Sequence, residues 1–257
     1  MIQSLDRGIK ILELLEEKKS AAVTEVAAFL KINKSSAFRL LDTLRANNTV
    51  EKDTVTDRYR LSAGVIRFAK AYLNTSMYNI PIHHYLEELV HLTKESAHYC
   101  VFSNNRVVVI DQIRSVHSVS VTAMIGHEEK IYCTSVGKAI LAYLPPKIQQ
   151  SIIDSIEFEP VAPNTITSKE VLIKNLEQVV ETGYAVDDEE NMKGVRCVAA
   201  PIRDFRGNVN NCIGISGPII RMETNVLQKY TEIVKSVADK ISLKLGFKIE
   251  ERVQEAI

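Results

Sequence analysis

The sequence has no tryptophan, no excess of either charge and no apolar run long enough to cross a bilayer. A spanning helix needs about 20 consecutive apolar residues, so no partnership with a membrane is expected. The missing tryptophan decides nothing. The charge balance decides more: 32 Lys and Arg stand against 32 Asp and Glu, which excludes a chain coated in basic surface. The start, MIQSLDRGIKILELLEE, carries charges every few residues, unlike a secretory signal. Cysteine is sparse and scattered. Cys100, Cys133, Cys197 and Cys212 form no CxxC pair, so reduced buried thiols in a cytoplasmic protein are expected. Internal repeats and low-complexity tracts are also lacking. The 257 residues, 46% hydrophobic and 25% charged, suit one large globular domain or two of ordinary size.

Overall neutrality hides an asymmetry. Residues 1–75 hold 13 Lys and Arg against 9 Asp and Glu, a net of +4, which leaves 19 against 23 in the remainder, a net of −4. A basic end on an acidic body suits nucleic-acid binding confined to that end.

The most informative stretch is 23–61, which contains TEVAAFLKINKSSAFRLLDTLRANNTVEKD and ends in DRYRL. A first helix over about 4–18 precedes it, with Ile9, Ile11, Leu12 and Leu15 as apolar face. Thr24 can N-cap a second helix with Val26, Ala27 and Leu30 inward. Ile32-Asn33 makes a turn. A third helix follows from about Ser35 to Ala46, where Ala37, Leu40, Leu41 and Leu44 fall at i, i+3, i+4, i+7 and form its buried stripe. Strands at about 49–53 and 58–61 then flank a turn. This order predicts a winged helix-turn-helix over 1–62. A helical run from 63, with Val65, Ile66, Ala69, Tyr72 and Leu73 apolar, has no core of its own and reads as a linker helix through 79 that pairs with a second copy.

Residues 80–257 read as a second, α+β domain with helices on the faces of a sheet. Helices are expected at about 81–97, from Ser135 to before Pro145-Pro146, at 146–154, from Ser168 to Thr182 with Gly183 as stop, and at 225–246. Strands are expected at Tyr99–Phe102, Val107–Ile113, Val119–Ala123, Val195–Arg203 and Val209–Ser216.

In a helix-turn-helix the second helix of the motif enters the major groove with its N-terminal residues on base edges. With the apolar stripe inward, Ser35, Ser36 and Arg39 face out. Arg39 can grip a guanine in a bidentate contact worth ~1–3 kcal/mol of discrimination. Lys34 can neutralise a phosphate. In the wing, Arg58 and Arg60 flank Tyr59 and can reach phosphate or the minor groove. Double-stranded DNA is therefore the expected partner.

From SLDRGIKILELL through the wing, and again in IYCTSVGKAILAYLP at 131–145 and GYAVDDEENMKGVRCVAAPIRDFRGNVNNCIGISGP at 183–218, the chain resembles the IclR family of bacterial transcriptional regulators. The resemblance implies a GAF-like effector-binding domain behind the winged helix-turn-helix. It also implies a homodimer or homotetramer on a palindromic operator, and a small-molecule effector, often an organic acid, that changes operator affinity. Repressors predominate in the family. Carried over by motif, the effector-binding positions are Ser135, Val136, Asp187, Cys197, Gly214 and Ser216, with Val121 and Ala123 as neighbouring wall. The helix start at Ser135 offers free N–H groups to a carboxylate. Two departures reshape this site. Ser135-Val136 is bulkier than the family's small pair, and Gly214 replaces a serine.

Other chemistries fit less well. Gly137-Lys138 suggests a phosphate loop, but position 132 is Tyr and Ala139 stands where Ser or Thr would hold magnesium. Cys197 has no histidine spaced to serve as its base, so no enzyme and no catalytic residue are indicated. Cys133, Cys197, Cys212, His127 and Asp187 would suit zinc only if they converge; no metal site and no cofactor are expected. The alternative to a regulator is a metal- or thiol-dependent sensor or enzyme with secondary DNA binding. The acidic run Asp187-Asp188-Glu189-Glu190 is expected to splay into water.

Overall fold

The computed structural model describes residues 2–75 and 80–248. The chain divides into two compact units, Met1–Asn79 and Ile80–Ile257.

In the first unit α1 (Gln3–Lys18), α2 (Val23–Leu30) and α3 (Lys34–Ala46) enclose a small core with β1 (Val50–Lys52) and β2 (Tyr59–Leu61). Ile11, Leu14 and Leu15 of α1 meet Val26 and Ala27 of α2 and Ala37 and Leu41 of α3, while Leu40 and Leu44 pack at its margin. Thr24 is not the cap of α2. The helix starts two residues earlier, at Val23, and the Glu25 carboxylate accepts the N–H of the capping residue Ala22 at 2.6 Å. Asn33 caps α3, its Oδ1 accepting the Ser36 N–H at 2.8 Å. The strands pair antiparallel with Glu51 opposite Arg60. Tyr59 is buried and bridges back to Ala21 through two backbone hydrogen bonds, which seats the hairpin on the helices. After a 3-10 turn at Ala63–Val65, α4 spans Ile66–Thr75 with Ile66 and Phe68 exposed. Residues 76–79 of the expected linker, and the side chains of Tyr72 and Leu73, lie outside the described residues.

The second unit is built on a six-stranded, wholly antiparallel sheet in the order β5-β4-β3-β8-β7-β6. Its strands are β3 (Ser96–Ser103), β4 (Arg106–Ile113), β5 (Glu128–Glu129), β6 (Ala185–Asp188), β7 (Val195–Arg203) and β8 (Val209–Pro218). Period-two alternation splits their side chains between two cores. Ala97, Tyr99, Val198, Ala200, Ile213 and Ile215 face α5 (Ile82–Thr93) and α9 (Thr224–Lys244). Cys100, Ala199 and Cys212 face α6 (Ser135–Leu141), α7 (Pro146–Ser155) and α8 (Lys169–Thr182). Ser168 caps α8 by accepting the Val171 N–H, and Gly183, at φ +80°, ends it.

Two expectations fail here and one strand was not foreseen. The helix from Pro81 ends at Thr93, because Lys94 turns left-handed (φ 62°) and its N–H closes on the Val90 carbonyl; Ser96 and Ala97 are then already in β3. Val119–Ala123 is not a strand but part of the connection between β4 and β5. The Val119 carbonyl accepts from Arg221, whose guanidinium also grips the buried Glu95 carboxylate at 2.5 and 2.7 Å. Ala185–Asp188, in contrast, is a strand that no periodicity announced.

Replacing Asn33 by Ala removes the α3 cap and should cost ~1 kcal/mol of stability in urea unfolding; an unchanged midpoint would show that the cap contributes nothing.

Candidate functional site

Two surfaces carry the expected chemistry, one in each unit. On α3, Lys34, Ser35 and Arg39 are exposed and Ser36 is half-buried. The Ser35 hydroxyl donates to Asn33 Oδ1 at 2.8 Å, so its lone pairs point away from the cap. No ion pair among the described residues holds Lys34 or Arg39. Their neighbours are engaged: Arg45 pairs with Asp42 at 2.7 Å, and Arg60 pairs with Glu51 at 2.7 Å. Arg58 turns inward to the Ser20 hydroxyl and carbonyl and to Glu25 at 2.8 Å, bracing the hairpin against the α1–α2 corner.

In the second unit a cavity of about 190 Å³ lies between the sheet, the start of α6 and the 121–124 segment. Its floor follows from register. Asp187 sits opposite Cys197, and Cys197 opposite Ser216, so all three share one face of the sheet, with His98 one row further along. Ser135 and Val136 close it from α6, and Val121 and Ala123 from the connecting segment. Gly214 does not line it. A side chain at Gly214 would meet the Val198 carbonyl oxygen at 2.6 Å, so the residue serves strand packing. Sequence reading missed His98, His127, Glu129, Asn191 and Met192, all of which line the cavity.

The acidic run does not splay into water. Asp187 is 2% exposed and Glu190 7%. Strand alternation turns Asp187 inward, and Glu189 in the left-handed region (φ 55°) redirects the chain so that Glu190 also points in. There it meets Lys138 of α6, which is fully buried, at 2.5 Å. The Asp187 Oδ1 accepts the Glu190 and Asn191 N–H groups at 2.8 and 3.3 Å. Burial pushes the Asp187 carboxyl up to about 7, against the pull of those bonds and of Lys138. Burial also raises Glu129 and drives His98 down to about 4, leaving its imidazole neutral at physiological pH.

Burial pushes the Cys133 thiol up to about 12 and Cys197 well above its ordinary range, so both stay protonated. Of the five zinc candidates, His127, Asp187 and Cys197 line this cavity, but among the described residues no three His, Cys, Asp or Glu side chains are placed to share a metal ion. No described helix is long and apolar enough to cross a membrane.

Residues 71–243 match the family model for the bacterial transcriptional regulator IclR C-terminal domain, and residues 4–54 match the IclR helix-turn-helix domain. The chain belongs to the IclR family. It is 30% identical over 247 residues to the HTH-type transcriptional regulator KdgR of Escherichia coli strain K12, covering 96% of this chain and 94% of that one. It is 32% identical to the HTH-type transcriptional repressor AllR of the same strain, covering 96% and 91%. The crystal structure of the Thermotoga maritima IclR superposes with a TM-score of 0.80 at 29% identity, covering 96% of this chain and 100% of that one. As a member of this family the chain is a DNA-binding regulator of transcription with a winged helix-turn-helix and an α/β effector-binding domain.

The acid at the cavity floor gives the family fold a pH signature in this chain. Folded Asp187 keeps a proton that the unfolded chain releases near 3.8, so the stability it contributes is present below that value and lost as pH rises to about 7. His98 has the opposite sign: stability is lost as pH falls from 6.5 to about 4. Asp187→Asn should abolish the loss between pH 3.8 and about 7 and leave the variant more stable than the parent at pH 7 and above, by on the order of a few kcal/mol. Urea unfolding from pH 4 to 8 checks it; curves for the two proteins that stay parallel between pH 4 and 7 would refute the assignment.

Proposed function

We propose that the chain is a cytoplasmic repressor that binds a palindromic operator as a homodimer or homotetramer and is switched by a small, carboxylate-bearing effector held in the cavity of the second unit. What carries the effector reading is convergence. Ser135, Val136, Asp187, Cys197 and Ser216, carried over by motif, and Val121 and Ala123, taken as neighbouring wall, line one cavity. Its chemistry suits a carboxylate better than its two acids suggest. Of the first-turn N–H groups of α6, that of Gly137 is taken by the Thr134 hydroxyl at 3.1 Å, while those of Ser135 and Val136 have no intrahelical partner and sit at the positive end of the helix. Burial pushes Asp187 and Glu129 toward their neutral forms, which lessens the negative charge an incoming anion meets. The Ser135 and Ser216 hydroxyls add donors.

Repression is supported by the likeness to AllR, a repressor by name. Self-association is supported by apolar residues left on the first unit: Ile2 just ahead of α1, Leu5 and Ile9 of α1, and Ile66 and Phe68 of α4 are exposed. A two-fold pair presents two copies of α3, and a palindrome is the matching DNA. Each copy would offer Lys34, Ser35, Ser36 and Arg39. Arg60 would join them by exchanging Glu51 for a phosphate. Arg58 would act through the hairpin it braces.

Footprinting of the DNA flanking the gene tests the reading, and a protein that protects no segment at moderate salt would overturn it. Arg39→Ala should relax discrimination at one base pair, costing ~1–3 kcal/mol at the preferred base. Lys34→Ala should weaken all sequences alike and flatten the salt dependence by about one unit. Ser216→Leu should leave operator binding intact and abolish its response to effector; a retained response would place the effector elsewhere.

A further inference from the structure

Phe38 is the largest apolar side chain of α3, and it is left 48% exposed. Ala37 and Leu41 are buried in the core of the first unit, and Leu40 and Leu44 pack at its margin; Phe38 belongs to neither set. Its ring meets no aromatic ring and no cation among the described residues.

Helix geometry says which way the ring lies. Ala37, Leu40, Leu41 and Leu44 form the inward stripe at i, i+3, i+4, i+7. The same spacing begun two residues earlier runs through Ser35, Phe38, Arg39 and Asp42. Two residues turn a helix by about 200°, so this second stripe lies on the opposite face. Phe38 therefore stands in the row that faces away from the core, between Ser35 and Arg39. The one acid of that row, Asp42, is already held by Arg45 at 2.7 Å.

A single exposed apolar residue is ordinary on a protein surface, but this one sits in the early turns of the helix that enters the major groove. A phenyl ring has no hydrogen bond to offer a phosphate or a polar base edge. The apolar group that the groove presents is the C5 methyl of thymine, and phenylalanine is among the side chains that contact it. We propose that Phe38 is a specificity-determining residue that reads the C5 methyl of a thymine neighbouring the base gripped by Arg39. Consecutive Cα atoms lie about 3.8 Å apart, close to one base-pair step of about 3.4 Å, which suits adjoining targets. The proposal rests on α3 entering the groove as described above.

Selection of binding sites from a random duplex library with the full-length protein tests this, followed by uracil in place of each selected thymine. Uracil keeps the hydrogen-bonding groups of thymine and lacks only the methyl. At one thymine, beside a guanine that Arg39→Ala ceases to select, uracil should weaken binding by about fourfold per copy of the motif, the worth of one methyl in an apolar contact. Phe38→Ala should bind thymine and uracil duplexes equally and still select the guanine. Phe38→Leu, which stays apolar, should keep part of the thymine preference. Indifference of the parent to uracil at every selected thymine, or unchanged thymine discrimination in Phe38→Ala, would overturn the proposal. So would loss of self-association by Phe38→Ala in sedimentation without DNA and with selection unchanged, which would give the ring to an interface between copies. If Arg39→Ala also leaves selection unchanged, the placement of α3 in the groove falls too; a guanine effect without a thymine effect sinks the role of Phe38 alone.

Discussion

A fully buried lysine governs the second unit. An unpaired ammonium in the interior costs several kcal/mol, and a partner is the way a fold tolerates it. Lys138 finds Glu190, 52 residues away in sequence. That one contact ties α6 to the loop after β6, and much else follows. With Glu190 drawn in, its N–H lies on Asp187, and the two carboxylates of one short segment end in different cavities. Removing the lysine charge alone would strand Glu190, so the pair and the loop geometry stand or fall together. The helix is fixed from its other side by Gly137, where any side chain would sit 2.6 Å from the Ile131 backbone. Ser135 and Val136 are thus held from both ends of a helix that presents them to the cavity.

The features legible in the sequence were those with a local cause. Ser168 and Gly183 mark α8 because a hydroxyl cap and a left-handed glycine are residue properties. Ala37 and Leu41 mark the buried face of α3 because helical periodicity is local. Failures came where the cause was remote. Val119–Ala123 alternates like a strand, yet alternation describes two environments and not a hydrogen-bonded partner. Along β4 that edge is met instead by Glu128–Glu129 and by the backbone bonds of Gly126 and His127 to Val109. Val121 and Ala123 still line the cavity without any ladder, together with Thr122 and Met124. Lys94 ends a helix in a conformation that glycine would have advertised. Arg58 had the right type for DNA, but side-chain direction depended on Ser20 and Glu25, far away in sequence.

The acidic run shows the same limit from the other side. Four consecutive acids read as solvated because like charges repel and water screens them. Strand alternation and one left-handed residue separate them here, so the repulsion never has to be met at close range. A signal was available: Lys138 stands alone among Ser135-Val136-Gly137 and Ala139-Ile140-Leu141, and a lone cation in an otherwise apolar or small helix needs a partner. Nothing local said which acid that would be.

For a regulator of this family the question is how ligand binding reaches the DNA-binding half. A ligand shifts an equilibrium only by the difference in its affinity for two arrangements, with ~1–3 kcal/mol typical between coupled sites. The cavity walls supply one rigid side and one adaptable side. The sheet floor at Asp187, Cys197 and Ser216 is fixed by a continuous ladder. The 121–124 wall has no ladder; its tethers are the His127 bond to the Met124 carbonyl, the Arg221 bond at Val119 and the Gly126 bond to the Val109 carbonyl. Ligand contacts made to the floor alone would be nearly equal in any arrangement and would switch nothing. For an effector held in this cavity as proposed, the discriminating contacts are those to the 121–124 wall or the α6–loop strut, which can differ between states without breaking the sheet.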